Sequence, residues 1–338
     1  MSAGSGVLAR FLHVLILAAA GWAWRLPPGF PAPRVPADNP MSREKVELGR
    51  RLFYDKRLSG NATQACASCH QPGRAFTDGR AHALGSTGEA HPRSAMGLAN
   101  VAFGASLTWL NAGHKRLEDQ MLVPLLGEMP LEMGLRGHEE EVLARLRADP
   151  LYSKLFAASF PGEAEPLSLV SIRKAIASFE RTIFSGDSPY DRLVWKDDRG
   201  ALSDSARRGM ALFFSDRLAC SKCHAGFTFS GPVTWEGGPP AGATFHDNGL
   251  GGKFRAPTLR NIAVSAPYMH DGRFATLEEV VDHYAKGGTA TPNRSPLVRG
   301  FGITEGGKRD VVEFLKSLTD EAFLSDPALS DPWRPRVP

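Results

Sequence analysis

The chain has 338 residues, 42% hydrophobic and 22% charged, which suits two modest packed domains and excludes a disordered or fibrous protein. A net charge of +4, with no long run of Lys or Arg, leaves no footprint for nucleic acid.

The chain opens with "MSAGSGVLARFLHVLILAAAGWAW". Arg10 precedes an apolar run at 11–20 that is too short to cross a bilayer. The pattern reads as a secretory signal over 1–24; an uncleaved anchor is the rival, because 21–24 stays apolar. Either way the body lies outside the cytoplasm, and the mature form needs no membrane span. Residues 25–42 form a Pro-rich linker whose prolines exclude helix.

Four stretches carry a helical period: 45–55, 171–184, 205–216 and 309–318. In the second, Ile172, Ile176, Phe179 and Ile183 share one face. Strand signals are sparse, and 227–252 reads as a Gly/Pro-rich loop. An internal repeat is also present. Gly49, Leu52, Phe53, Tyr54, Arg57 and Leu58 match Gly209, Leu212, Phe213, Phe214, Arg217 and Leu218 at the same spacings. The expectation is a mostly α-helical protein of two duplicated domains, 43–198 and 199–320, with a tail at 321–338.

Each repeat leads into a cysteine motif: "CASCH" (66–70) and "CSKCH" (220–224) hold all four cysteines. A disulfide framework would be a poor use of such close pairs. A zinc site of Cys66, Cys69, Cys220 and Cys223 would leave two adjacent histidines unexplained. Covalent attachment of two c-type haems uses every residue: two thiols bond the porphyrin vinyl groups, and His70 and His224 take the irons. The two domains are then cytochrome c-like. The sixth ligand decides the chemistry, because a second strong donor makes an electron carrier and an open face admits peroxide. Spacing leaves open Met269, His270, His283 and Tyr284 in the second half, and His82, His91, Met96, His114, Met121, Met129 and Met133 in the first.

Four segments together resemble the di-haem cytochrome c peroxidase and MauG family: "LFYDKRLSGNATQACASCHQPGRAFTDG", "LTWLNAGHKRLEDQMLVPLLGEMPLEMG", the second "CSKCH" and "FRAPTLRNIAVSAPYMHDGRFATLEEVVDHY". The resemblance runs from about residue 40 to 318. It implies a periplasmic enzyme whose haem on His70 reacts with H2O2, with Gln120, Pro124 and Glu132 on the distal side. Glu128 is the alternative acid, because "PLLGEMPLEMG" carries two more residues than the family pattern between proline and glutamate. A carboxylate there can take a proton from one peroxide oxygen and return it to the other. Trp109 resembles the tryptophan between the haems.

Tyr284 lies eight residues after Thr276, where the ordinary peroxidases have a methionine ligand. The tyrosine-ligated MauG and MbnH branch has tyrosine there. A phenolate is a harder donor than a thioether and lowers the reduction potential. The resemblance therefore implies sharing of two oxidising equivalents between the haems and oxidation of a Trp or Tyr in a partner, either a quinoprotein precursor or an MbnP-like protein. Rival readings are a peroxide-scavenging peroxidase fed by a small redox protein and a plain electron carrier. The family's structural calcium would fall to Ser94, Ser265 and the Pro267 carbonyl, with Ser94 in place of the usual asparagine. Trp195 and Trp235 are candidates for the exit to the partner only by residue type.

Overall fold

The computed structural model describes residues 22–334, so the expected signal stretch falls outside the described residues except for Trp22, Ala23 and Trp24. In chain order the helices are α1 (Arg43–Tyr54), α2 (Cys66–Cys69), α3 (Leu117–Gln120), α4 (Leu122–Leu126), α5 (Glu139–Arg147), α6 (Pro150–Ser159), α7 (Leu169–Glu180), α8 (Pro189–Lys196), α9 (Asp204–Phe213), α10 (Leu277–Ala285), α11 (Glu305–Lys316) and α12 (Glu321–Leu324). Strands β1 (His246–Asp247) and β2 (Lys253–Phe254) are the sheet among the described residues. No described helix is long and apolar enough to cross a membrane.

Local sequence sets the helix starts. The hydroxyls of Ser42, Ser168, Ser203, Thr276 and Thr304 accept amide hydrogen bonds at the N-termini of α1, α7, α9, α10 and α11, satisfying donors that a helix leaves free. The four helical patterns of the sequence become α1, α7, α9 and α11.

The repeat is a packing device. A Cβ at Gly49 would overlap the Ala175 carbonyl oxygen, and one at Gly209 would overlap that of Asp310. The matched glycines thus bring α1 onto α7 and α9 onto α11 at backbone contact. Each pair anchors an aromatic core, with Phe53, Phe76 and Phe179 in the first and Phe213, Phe229 and Phe314 in the second. A second repeat went unread in the sequence. "LANVAF" and "LRNIAV" form matching 3-10 turns behind Asn100 and Asn261, both at φ 60. Both asparagine amides reach Ser185, each at 2.9 Å.

The connecting segments are more integrated than their sequences imply. Residues 25–42 are non-helical, as their prolines require, yet they are packed rather than free. Phe30 lies 4.7 Å from the Phe227 ring, Arg34 Nε donates to Trp235 O at 3.0 Å, and Asn39 is buried against Glu118. The segment after 320 returns to the first core, where Phe323 and Leu329 are buried and Tyr54 Oη donates to Leu329 O. Helix α8 precedes the expected boundary but packs on the second core, Tyr190 lying 4.9 Å from Phe229. The loop at 227–252 ends in a short antiparallel ribbon that sets His246 opposite Phe254.

Candidate active site

Each cysteine pair sits on one short turn after its lead-in helix. His70 N donates to Cys66 O, and His224 N donates to Cys220 O, both at 3.0 Å. Two thiols and one imidazole therefore leave each turn together.

The histidines are fixed by carbonyls. His70 Nδ1 lies 2.8 Å from Phe76 O, and His224 Nδ1 lies 3.3 Å from Phe229 O and 3.1 Å from Pro257 O. A carbonyl only accepts, so Nδ1 carries the hydrogen and Nε2 keeps its lone pair for a metal. Phe76 and Phe229 hold these carbonyls from left-handed backbone, φ 62 and φ 49, a conformation that clusters at functional sites. Burial lowers the His70 pKa and brings His224 to about 4, so both rings are neutral donors at pH 7.

Burial also raises all four thiols, Cys69 and Cys220 to about 12. All four are free of disulfides. The two pairs belong to separate cores, and the described residues contain no group of three or more His, Cys, Asp or Glu side chains placed to share a metal. The zinc reading lacks its geometry.

A cavity of about 240 Å³ opens beside the second pair, lined by Cys220, Cys223, His224, Met269 and Tyr284, with Trp109 and Ser94 from the first half. Its wall also holds Arg255, whose guanidinium donates to Ser106 O at 2.7 Å. Arg255 Nε is buried without a partner, and burial alone depresses the guanidinium pKa to about 10. A half-buried cation with no carboxylate beside it among the described residues is costly. A haem brings two propionates, so the residues present fit that group in charge as well as in thiols, imidazole and apolar wall.

Tyr284 faces this space from α10. Burial pushes its phenol up to about 12, while the Asn248 side-chain amide facing it acts in the opposite direction. Met269 lines the same cavity, and its sulphur accepts from Asn248 Nδ2 at 3.6 Å. His270 stacks on Phe254 with ring centroids 3.9 Å apart. His283 instead directs Nε2 to Asn248 O at 2.8 Å. Trp109 donates its indole N–H to Ser94 O at 3.2 Å.

At the first pair, Glu132 is close enough to act electrostatically on Cys66, Cys69 and His70, and its carboxylate lies 3.5 Å from His91 Nε2. Glu128 points outward, 66% exposed and 3.3 Å from Arg136. Gln120 ends α3 and is half-buried, and Pro124 lies within α4 with its carbonyl accepting from Met133 N at 2.9 Å. Met121 and Met133 are core residues, whereas Met129 is 96% exposed. His82 Nδ1 is tied to His91 O. Met96 lines the large cavity, and His114 is half-buried.

Ser94, Ser265 and Pro267 share the cavity wall. Ser94 Oγ donates to Met269 O at 3.1 Å and Ser265 Oγ to Ile262 O at 3.2 Å, and these three positions offer no carboxylate for calcium. Trp195 is exposed over Gly29 and Trp235 lies against Gly238; neither lines the cavity. Asn248, Arg255 and His246 were not singled out in the sequence. Arg255 stands in the "FRAPTLRN" segment, but its burial has no one-dimensional signal.

Residues 43–199 match the family described as di-haem cytochrome c peroxidase. The methylamine utilization protein MauG of Methylorubrum extorquens is 36% identical over 320 residues, covering 90% of this chain and 86% of the relative. A cytochrome-c peroxidase, IdrP1 of Denitromonas iodatirespirans, is 33% identical over 370 residues, covering 94% and 93%. The crystal structure of a MauG-like protein associated with microbial copper homeostasis superposes with a TM-score of 0.89 at 43% identity, covering 93% of this chain and 100% of that one. With two thiol pairs, two tautomer-fixed histidines and this likeness along nearly its whole length, the chain belongs to the di-haem cytochrome c peroxidase and MauG family of haem-dependent oxidoreductases that act with peroxide.

Proposed function

We propose that the chain is a periplasmic oxidase of the MauG type, which uses H2O2 to oxidise a Trp or Tyr residue of a partner protein. The observation that carries this reading is Tyr284, a half-buried phenol that shares a cavity with His224, Cys220 and Cys223. Cys66, Cys69 and His70 would hold one haem, and Cys220, Cys223, His224 and Tyr284 the other. Bound there, the haems supply iron that reacts with peroxide and exchanges electrons.

The chain's own groups do the rest. Glu132 takes a proton from the nearer peroxide oxygen and delivers it to the departing one, so that water leaves. Gln120 orients the peroxide, and Pro124 shapes the same wall. The Trp109 indole, held by Ser94 O, passes an electron between the two halves. Tyr284 supplies an anionic oxygen that favours the oxidised side of the second centre. Likeness to MauG and to a copper-associated MauG-like protein supports a protein substrate, a quinoprotein precursor or an MbnP-like protein.

The peroxide-scavenging reading has one observation in its favour: Met269 enters the same cavity. Redox titration of Tyr284→Met against the wild type separates the two. The substitution raises the midpoint and changes the spectrum of the second haem if Tyr284 is the ligand. An unaltered spectrum, with a high wild-type midpoint, returns the protein to the ordinary peroxidases.

A further inference from the structure

Two donors of opposite chemistry, the Tyr284 phenol and the Met269 thioether, reach the cavity that contains His224. One iron takes only one of them in its sixth position. Met269 is set deliberately: it holds a left-handed backbone at φ 73, a conformation that strains a residue with a side chain and persists only where neighbours impose it. Ser94 imposes it here, donating through Oγ to Met269 O at 3.1 Å and through its amide to His270 O at 2.9 Å.

Asn248 stands between the two donors. Its Nδ2 donates to Met269 Sδ at 3.6 Å, and the same amide faces the Tyr284 phenol. Its backbone carbonyl accepts from His283 Nε2 at 2.8 Å, which ties it to α10, the helix carrying Tyr284. The next residue, Gly249, has φ 79 and packs so closely on Gly288 and Thr289 that a Cβ would meet their backbone. The Asn248 position is therefore fixed from both sides, while its Oδ1 is buried with no partner among the described residues.

We propose that Asn248 selects the sixth donor at the second centre: one amide hydrogen occupies the Met269 sulphur and holds it aside, while the other supports the Tyr284 oxygen. This deepens the reading of Tyr284 as the ligand and rests on it. A primary amide can do both because it has two hydrogens on one nitrogen. A side chain of similar size without donors frees the sulphur.

The test uses the haem-loaded protein and reads absorption and midpoint potential rather than turnover. Asn248→Leu acquires the sulphur-to-iron charge-transfer band of a methionine-ligated ferric haem. Its equilibrium moves at least tenfold toward the ferrous form, about 59 mV for one electron. Adding Met269→Leu removes that band. Asn248→Ala gives the same result should the leucine hinder haem loading. A wild-type spectrum and midpoint in both Asn248 variants, with Tyr284→Phe altered, overturns the selection by Asn248 alone. Tyr284→Phe indistinguishable from wild type overturns the ligand reading and this proposal with it.

Discussion

Arg260→Met probes how the second centre is held. The Arg260 guanidinium meets Asp191 at 2.7 and 2.8 Å, with both side chains at most 1% exposed. It also donates from Nε to Phe227 O at 2.6 Å and lies 5.0 Å over the Phe30 ring. One group thus ties α8, the turn after His224 and the N-terminal segment together. Methionine fills the space but leaves Asp191 buried with only the Ser188 hydroxyl and amide as partners. Breaking a buried pair from one side costs about 3–5 kcal/mol, a Tm drop on the order of 10 °C for a chain of this size. The pH dependence follows from the sign of each shift. In the wild type, burial pushes the Asp191 carboxyl up, but the Arg260 hydrogen bonds and charge outweigh it and hold the pKa below the usual value. That stabilisation is full above the unfolded pKa of about 3.9 and fades as pH falls through the folded value. In the variant, burial acts almost alone and the folded pKa lies above the unfolded one. Its contribution is then full at low pH and fades as pH rises. The gap between the two proteins is therefore widest near neutrality and narrows toward pH 4 or so. Calorimetry across that range is the assay, with Asp191→Leu/Arg260→Met recovering most of the loss. A drop under about 2 °C at pH 7, or a gap that does not shrink on acidification, refutes the reasoning.

Glu132→Gln keeps haem content intact and slows the reaction with H2O2 by about 10²–10⁴-fold in stopped-flow; wild-type kinetics would transfer the role to Glu128. Arg255→Gln removes a half-buried positive charge from the cavity wall and lowers the midpoint of the second haem, by about 59 mV if the equilibrium shifts tenfold; a midpoint that stays or rises contradicts a propionate partner. Gly49→Ala and Gly209→Ala each push a methyl into a facing helix backbone and cost about 1–3 kcal/mol in denaturant unfolding; tolerance of both would show that the helix pairs are not packed at backbone contact.

The sequence by itself determined the parts whose signals are local. The Cys-x-x-Cys-His spacing places two thiols and an imidazole on one turn wherever the turn goes. The Ser and Thr caps fix the helix starts, and the matched Gly49 and Gly209 announce a duplicated helix pair. Helical periodicity located α1, α7, α9 and α11 because a buried face repeats every turn. Tertiary structure decided what depends on contacts between distant residues. Leu329 lies 275 residues from Tyr54 yet accepts its hydrogen bond, and nothing local in the tail sequence marks it as part of the first core. Asn248 and Arg255 look like ordinary loop residues until the fold sets one beside Met269 and Tyr284 and leaves the other a cation without a counter-charge among the described residues. The sequence offered Tyr284 and Met269 as alternatives, and the fold brings both into one cavity. The choice between them passes to an amide whose two hydrogens no pattern in the chain could reveal, because hydrogen-bond satisfaction exists only in three dimensions.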